Sequence, residues 1–274
     1  MAAKTQQNQV LKEAVKEVRD SFANIRKQEW PDQLAAIEAL AKSADPLAEV
    51  VLFQLLDVRK PEVRSTAMNA LADRSEALGR TAARALLEDT NAVVRDEAAT
   101  ILGVFGNRQD VRRLRRALLD EYWVMRATVA DSLGQIGGKA AHPLLLHTLR
   151  HDPHPVVRRD TAYALTYARS PEVVPQLEKA LDTEQVEQAR QGLLSALVRL
   201  GQRERLPELL ALLTSEDCTV RHATINILPD CIDIADRALA IATLRTALET
   251  EEYPGIKGDG ERTIEKISAR TGTQ

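Results

Sequence analysis

The chain has 274 residues, 44% hydrophobic and 28% charged, with a formal net charge of −3. Such a balance belongs to a folded chain and excludes a general electrostatic field for nucleic acid. Aromatic residues make up only 3%, so core volume must come from Leu, Ala, Val and Ile, which let helices approach closely.

The first twenty residues contain no apolar core of a secretory signal, and no run of about 18 apolar residues offers a membrane span. Cys218 and Cys231 lie either side of a predicted helix and would stand roughly 15 Å apart at about 1.5 Å per residue. A disulfide needs Cα atoms within about 7 Å. Both therefore read as free thiols in a reducing, cytoplasmic setting without membrane insertion.

Taken in chain order, residues 5–28 place Val10, Leu11, Ala14, Val15, Val18, Phe22 and Ile25 on one helical face, so residues 1–30 read as a capping helix. From residue 31 to 250 a repeat takes over. Arginines recur at Arg64, Arg95, Arg126, Arg158, Arg190 and Arg221, spaced by 31, 31, 32, 32 and 31 residues. Seven residues after each stands a leucine: Leu71, Leu102, Leu133, Leu165, Leu197 and Leu228. One period earlier Gln33 replaces the arginine, and Leu40 keeps the leucine.

Each period holds a second amphipathic segment upstream of its arginine, over 46–57, 78–89, 110–121, 139–152, 171–182, 203–217 and 236–251. The spacing thus predicts a helix A, a tight turn, a helix B and a short linker. Gly106, Gly137–Gly138 and Gly201 fall at the handover to the next hairpin. In helix B, positions −1, +3, +4 and +7 from the arginine form the buried stripe, and +1, +5 and +9 face outward. Pro229 directly follows Leu228 and should end its helix early. Gln188 and Ala189 replace the usual valine pair. The segment 251–260 reads as a loop, and 261–270 as a C-terminal cap, so 251–274 forms a terminal element.

The shared pattern is an acidic residue six before the arginine (Asp89, Asp120, Asp152), then Val-Arg, small residues and Leu-Gly, with the glycine kept at Gly103 and Gly134. It resembles the HEAT-repeat family, in particular the short bacterial HEAT-like repeats of phycobilin lyases. The resemblance implies an all-α fold, a right-handed α-α superhelix of about seven hairpins. It also implies that B helices line a concave side and A helices a convex one. The function it suggests is a non-catalytic scaffold that grips a protein partner and needs no cofactor. A phycobilin lyase-like chromophore handler is the alternative, and a nucleic-acid-binding HEAT-like protein a more distant one.

On the outward rows, Asp131, Gln135, Arg159, Tyr163, Tyr167 and Arg199 make the best candidate partner surface, because Tyr and Arg dominate binding hot spots. Tyr122 and Trp123 sit at the A–B turn of the third unit, as interface anchors or as packing residues. The arginine row reads as structural, each guanidinium forking onto an acid or carbonyl. His147 and His151, four apart, with His154 beyond them, could share a transition metal. No His-Glu dipeptide of the kind used by the HEAT-built deoxyhypusine hydroxylases exists, so no metal is expected. Arg108, Arg112, Arg113, Arg115 and Arg116 form a basic run tempered by Asp110, Asp120 and Glu121, and read as a solvated convex face.

Overall fold

The computed structural model describes residues 2–168 and 171–269, without the side chains of residues 2–12, 14, 15, 31, 168 and 171. No strand occurs among the described residues. The chain divides into two compact units, residues 1–132 and 133–274.

The first unit holds α1 (Ala2–Lys27), α2 (Trp30–Lys42), α3 (Leu47–Leu55), α4 (Pro61–Arg74), α5 (Glu76–Leu86), α6 (Ala92–Phe105), α7 (Val111–Ala117) and most of α8 (Trp123–Ile136). Here α1 packs on α3, α2 on α4, and α4 on both α5 and α6. Val18 and Ile25 of α1 are buried; the side chains of Val10, Leu11, Ala14 and Val15 lie outside the described residues. Gln33 donates from Nε2 to the Ile25 carbonyl at 3.0 Å and accepts from Lys60 Nζ at 3.3 Å. A polar side chain thus joins the first helix to the stack where later hairpins use arginine.

The second unit contains α9 (His142–His151), α10 (Pro155–Ala164), α11 (Val174–Thr183), α12 (Glu187–Arg199), α13 (Leu206–Ala211), α14 (Cys218–Cys231), α15 (Arg237–Glu249) and α16 (Pro254–Ala269). Short 3-10 turns extend α10, α11 and α13. Helices α10, α12, α14 and α16 pack in succession as a B layer, while α9, α11 and α15 pair with α10, α12 and α16.

The predicted leucines form the floor of this arrangement. Leu71, Leu102, Leu133, Leu165, Leu197 and Leu228 have no accessible surface, and the residues before the arginines (Val63, Val94, Met125, Val157, Ala189 and Val220) are buried too. Burying a leucine side chain contributes about 1.5–3 kcal/mol, and the stripe adds this at every repeat, together with A-helix residues such as Leu52, Leu114 and Leu177. Gly137, Gly138 and Gly201 take positive φ of 66°, 85° and 92° at helix ends. Gly106 does not: its φ is −68°, and it closes α6 by donating to the Leu102 carbonyl.

Three expectations need correction. Pro229 lies inside α14 rather than ending it. Proline there leaves the Ile225 carbonyl, four residues back, without its helical donor, and the Thr263 hydroxyl of α16 approaches that carbonyl at 3.4 Å. The segment 251–260 is not a loop throughout, because α16 begins at Pro254. Pro254 suits a first helical position, and Gly260 allows close packing: a Cβ there would sit 2.8 Å from Leu248 Cδ1. The outward rows are also not uniformly outward, since Ala127, Gln191 and Ser195 are buried.

The burial of α12 has a local cause. At Gly192 a Cβ would stand 2.6 Å from the Cα of Arg159 on α10, a separation no real side chain tolerates. Glycine lets these two B helices meet backbone to backbone. Gly192→Ala should therefore destabilise the chain by about 1–3 kcal/mol through overpacking, read as a lower urea midpoint at unchanged slope.

Candidate functional site

The arginine row lies at the start of each B helix and does two things at once. In the first unit, Arg64 donates from Nη1 to the carbonyls of Val58 and Arg59 in its own A–B turn, at 2.8 and 3.0 Å. Its other nitrogens grip Asp89 of the next turn at 2.6 and 2.5 Å. Arg95 repeats this, with the Asp89 carbonyl at 2.9 Å and the Asp120 carboxylate at 2.7 and 2.9 Å. Arg126 donates to the carbonyls of Asp120 and Glu121 at 2.9 and 3.3 Å.

In the second unit, Arg158 takes the Asp152 carbonyl at 2.9 Å and Glu184 at 2.7 and 2.9 Å. Arg221 takes the Ser215 carbonyl at 2.8 Å and Glu251 at 2.7 and 3.0 Å. Arg190 departs from the pattern. It reaches the carbonyls of Leu181 and Glu184, both at 3.1 Å, but the acid of the next turn is replaced by Ser215, and only Glu208 comes near, at 3.9 Å.

These carboxyls also organise their own turns. The Asn91 amide donates to Asp89 at 2.8 Å, that of Tyr122 to Asp120 at 3.0 Å, and that of Tyr253 to Glu251 at 3.0 Å. Burial alone would raise the Asp89 carboxyl, but Arg64, the Asn91 amide and nearby Arg95 outweigh it and hold the group below the usual carboxylate range. The same opposition, burial against Arg95 and the Tyr122 amide, lowers Asp120; burial against Arg158 and the Val186 amide lowers Glu184. At Glu251 the Arg221 guanidinium prevails over burial, with the Tyr253 amide assisting, and brings the group to about 2.

The candidate groove residues divide between the units. Asp131 belongs to the first, half-buried on α8, and the other five to the second. There Tyr163, Tyr167 and Arg199 are brought together. The two tyrosine rings meet edge to face with centroids 5.9 Å apart, and the Arg199 guanidinium lies 4.7 Å from one centroid and 5.5 Å from the other. Arg199 also donates to the Tyr163 hydroxyl, and that hydroxyl donates to Asp230 at 3.1 Å. Asp230 is the member the site selection missed, although it stands in the same +9 row. Burial pushes the Tyr163 phenol up, more than the Arg199 charge lowers it. Tyr167 remains 39% exposed. Arg159 turns instead to Asp160, at 2.7 Å, and Gln135 is exposed on α8.

Tyr122 and Trp123 are 53% and 39% exposed at the start of α8. His147 and His151 sit with ring centroids 4.7 Å apart, whereas the His154 backbone amide caps Asp152 at 2.9 Å. Among the described residues no group of three or more His, Cys, Asp or Glu could hold a metal ion. No helix of the described residues is long and apolar enough to cross a membrane.

The family model for HEAT repeats matches residues 80–166 and 143–229, together more than half the chain, and the chain belongs to the HEAT-repeat family. No curated protein matches it in sequence. Among solved structures, the complex of CpcE and CpcF of phycocyanin lyase from Nostoc sp. PCC7120 is 18% identical with a TM-score of 0.54, covering 82% of this chain and 97% of that one. YibA of Escherichia coli is 15% identical with a TM-score of 0.48, covering 91% and 96%. Human deoxyhypusine hydroxylase in complex with glycerol is 18% identical with a TM-score of 0.39, covering 94% and 98%. The likeness to the lyase complex shows a common fold.

Two predictions follow from the arginine geometry. Arg64 and Asp89 are 9% and 6% exposed in their side chains, so Arg64→Ala strands a buried carboxylate and should cost about 3–5 kcal/mol in urea unfolding. Arg190→Ala, which breaks no close ion pair, should cost clearly less. The depressed carboxyls contribute stability that is complete above their unfolded values of about 4 and lost as pH falls through the lower folded values. Urea midpoints should hold from neutral pH to about pH 5 and then fall towards pH 2, and Glu251→Gln should remove part of that dependence.

Proposed function

We propose that the chain is a non-catalytic HEAT-repeat scaffold that binds a protein partner through its B-helix surface, centred in the second unit on Tyr167 and Arg199. The observation that carries this reading is the Tyr163–Tyr167–Arg199 cluster. Its rings and guanidinium are locked by stacking and by hydrogen bonds to one another, so little side-chain entropy is left to lose on binding. Tyr167 is exposed while Tyr163 and Arg199 are half-buried beneath it, and Tyr and Arg are the residue types that anchor protein interfaces. One solved neighbour of this fold is itself a complex of two proteins, CpcE and CpcF, which supports a protein as the partner class. Gln135 on α8 would extend the contact within that unit, and Tyr122, Trp123 and Asp131 are candidate contact residues of the first unit taken by itself.

The phycobilin lyase-like alternative draws on the same pair of tyrosines, which could lie against a tetrapyrrole. It predicts a change in bilin absorbance on mixing, which the scaffold reading does not.

A photo-crosslinking amino acid at position 167, expressed in the source cell, tests the proposal. A discrete protein adduct should form there and be lost when Arg199 is also changed to Ala, with no adduct from a probe at position 204 on the A-helix side. No adduct at 167, or an equal one at 204, would overturn it.

A further inference from the structure

Outside the B-helix row, the first unit carries a concentration of charge that the scaffold reading leaves unused. Arg108, Arg112, Arg113, Arg115 and Arg116 are all exposed on and just before α7. The acid nearest them is already occupied: Asp110 is fully buried and held by Arg84 at 2.6 and 2.9 Å. Arg113 stands 3.9 Å from it, and Arg116 stands 3.9 Å from Glu88 with both side chains about four-fifths exposed. Among the described residues Arg108, Arg112 and Arg115 have no carboxylate within ion-pair distance. Like charges three and four apart on a helix each destabilise it by a few tenths of a kcal/mol, and here several such pairs accumulate on seven residues.

The arginines also converge. Arg112, Arg113 and Arg116 line one concavity together with Gln109. Arg113 and Arg116 line a second, adjoining one with Leu119, Ala117 and Leu87. Leu119 is 86% exposed beside it. Three guanidiniums present fork geometry for carboxylates or phosphates, and the leucine adds an apolar contact next to them.

The rim decides between those anions. Glu88, Asp89, Asp120 and Glu121 also border the second concavity; Asp89 and Asp120 are paired with Arg64 and Arg95, but a long phosphate backbone laid across α7 would meet Glu88 and Glu121, and no aromatic side chain lines either concavity to stack a base. A short segment that ends its negative charge before reaching them is favoured. We infer that the α7 face docks an acidic protein segment whose carboxylates pair with Arg112, Arg113 and Arg116 and whose neighbouring apolar side chain covers Leu119. This surface belongs to an A helix of the first unit and shares no residue with the Tyr167 site.

The test is fluorescence anisotropy on the full chain with a labelled synthetic peptide of glutamates flanking two leucines. Its comparators are the same peptide with serines for leucines and a single-stranded oligonucleotide of about twenty bases. The acidic leucine peptide should bind saturably and weaken as salt rises. The double variant Arg112→Glu, Arg116→Glu should lose about tenfold or more, the loss expected when like charges are juxtaposed. Leu119→Ser should lose several-fold; helicity should be kept and Tm should not fall, because all three side chains are exposed and the charge reversal relieves like-charge pairs.

Equal binding by the charge-reversed variant, equal binding of the serine peptide, or no saturable binding would overturn the inference. So would tighter binding of the oligonucleotide, or a dimer in sedimentation that the charge reversal dissolves, which would assign the face to nucleic acid or to a second copy. Crosslinking at position 167 should be untouched by the α7 variants, so the two surfaces fail separately.

Discussion

The structure depends on a register problem that every stacked hairpin faces. Apolar stripes such as those of Leu71 and Leu102 supply a large share of the burial, but a greasy surface alone leaves two helices free to slide. The arginine before each stripe removes that freedom. One end of its guanidinium is fastened to carbonyls of its own A–B turn, and the other end forks onto the acid of the next turn, as in Arg64 to Asp89 and Arg95 to Asp120. Because the fork is planar and bidentate, it accepts the neighbouring turn in one position only. The same acid shapes the turn it belongs to by accepting a backbone amide two residues on, so one residue's geometry passes directly to the next hairpin.

Where this coupling is interrupted, the polar contacts are rebuilt nearby. Ser215 replaces the acid that Arg190 would hold, yet the hairpins remain joined one turn earlier on α12. The Ser215 hydroxyl donates to Glu187 at 2.5 Å, and Gln188 donates to Asp217 at 2.9 Å. Gln188 is one of the residues that break the valine pattern, so the irregularity in the apolar stripe and the loss of the acid compensate each other. On the A-helix side the same junction keeps a bidentate ion pair, from Arg205 to Glu178 at 3.2 and 2.6 Å.

The repeat was legible because it is written in residue types with one dominant reason to recur. A leucine seven after an arginine, at an interval of 31 or 32 residues, cannot be explained by composition, and all six leucines are fully buried. What could not be read lies where a contact spans positions that no local period links. Pro229 looks like a helix end because the rule for proline considers only its own helix. Its continuation goes with a threonine hydroxyl on α16, 38 residues from the carbonyl it faces. The helical start of 254–260 was hidden by glycines that usually mark loops, whereas Gly260 serves close packing on Leu248. Asp230 falls on an outward row by its spacing from Arg221, but its partner Tyr163 is 67 residues away.

The same long reach explains the form of the candidate surface. Helices α10 and α14 flank α12, and a hydrogen bond from Tyr163 to Asp230 means that their faces converge over it. Gln191 and Ser195, one turn apart on α12, are consequently shut away from solvent, and they satisfy each other: the amide donates to the hydroxyl at 3.1 Å, and the hydroxyl donates to the Gln191 carbonyl at 2.7 Å. A buried polar pair bonded in this way stiffens its surroundings. The floor between these helices is therefore closed by the chain's own side chains, and Tyr167 stands exposed beside it with Arg199 stacked on its ring. Rigidity and exposure at one point come from the same contact, which is the condition for a small set of side chains to carry recognition on an otherwise ordinary helical face.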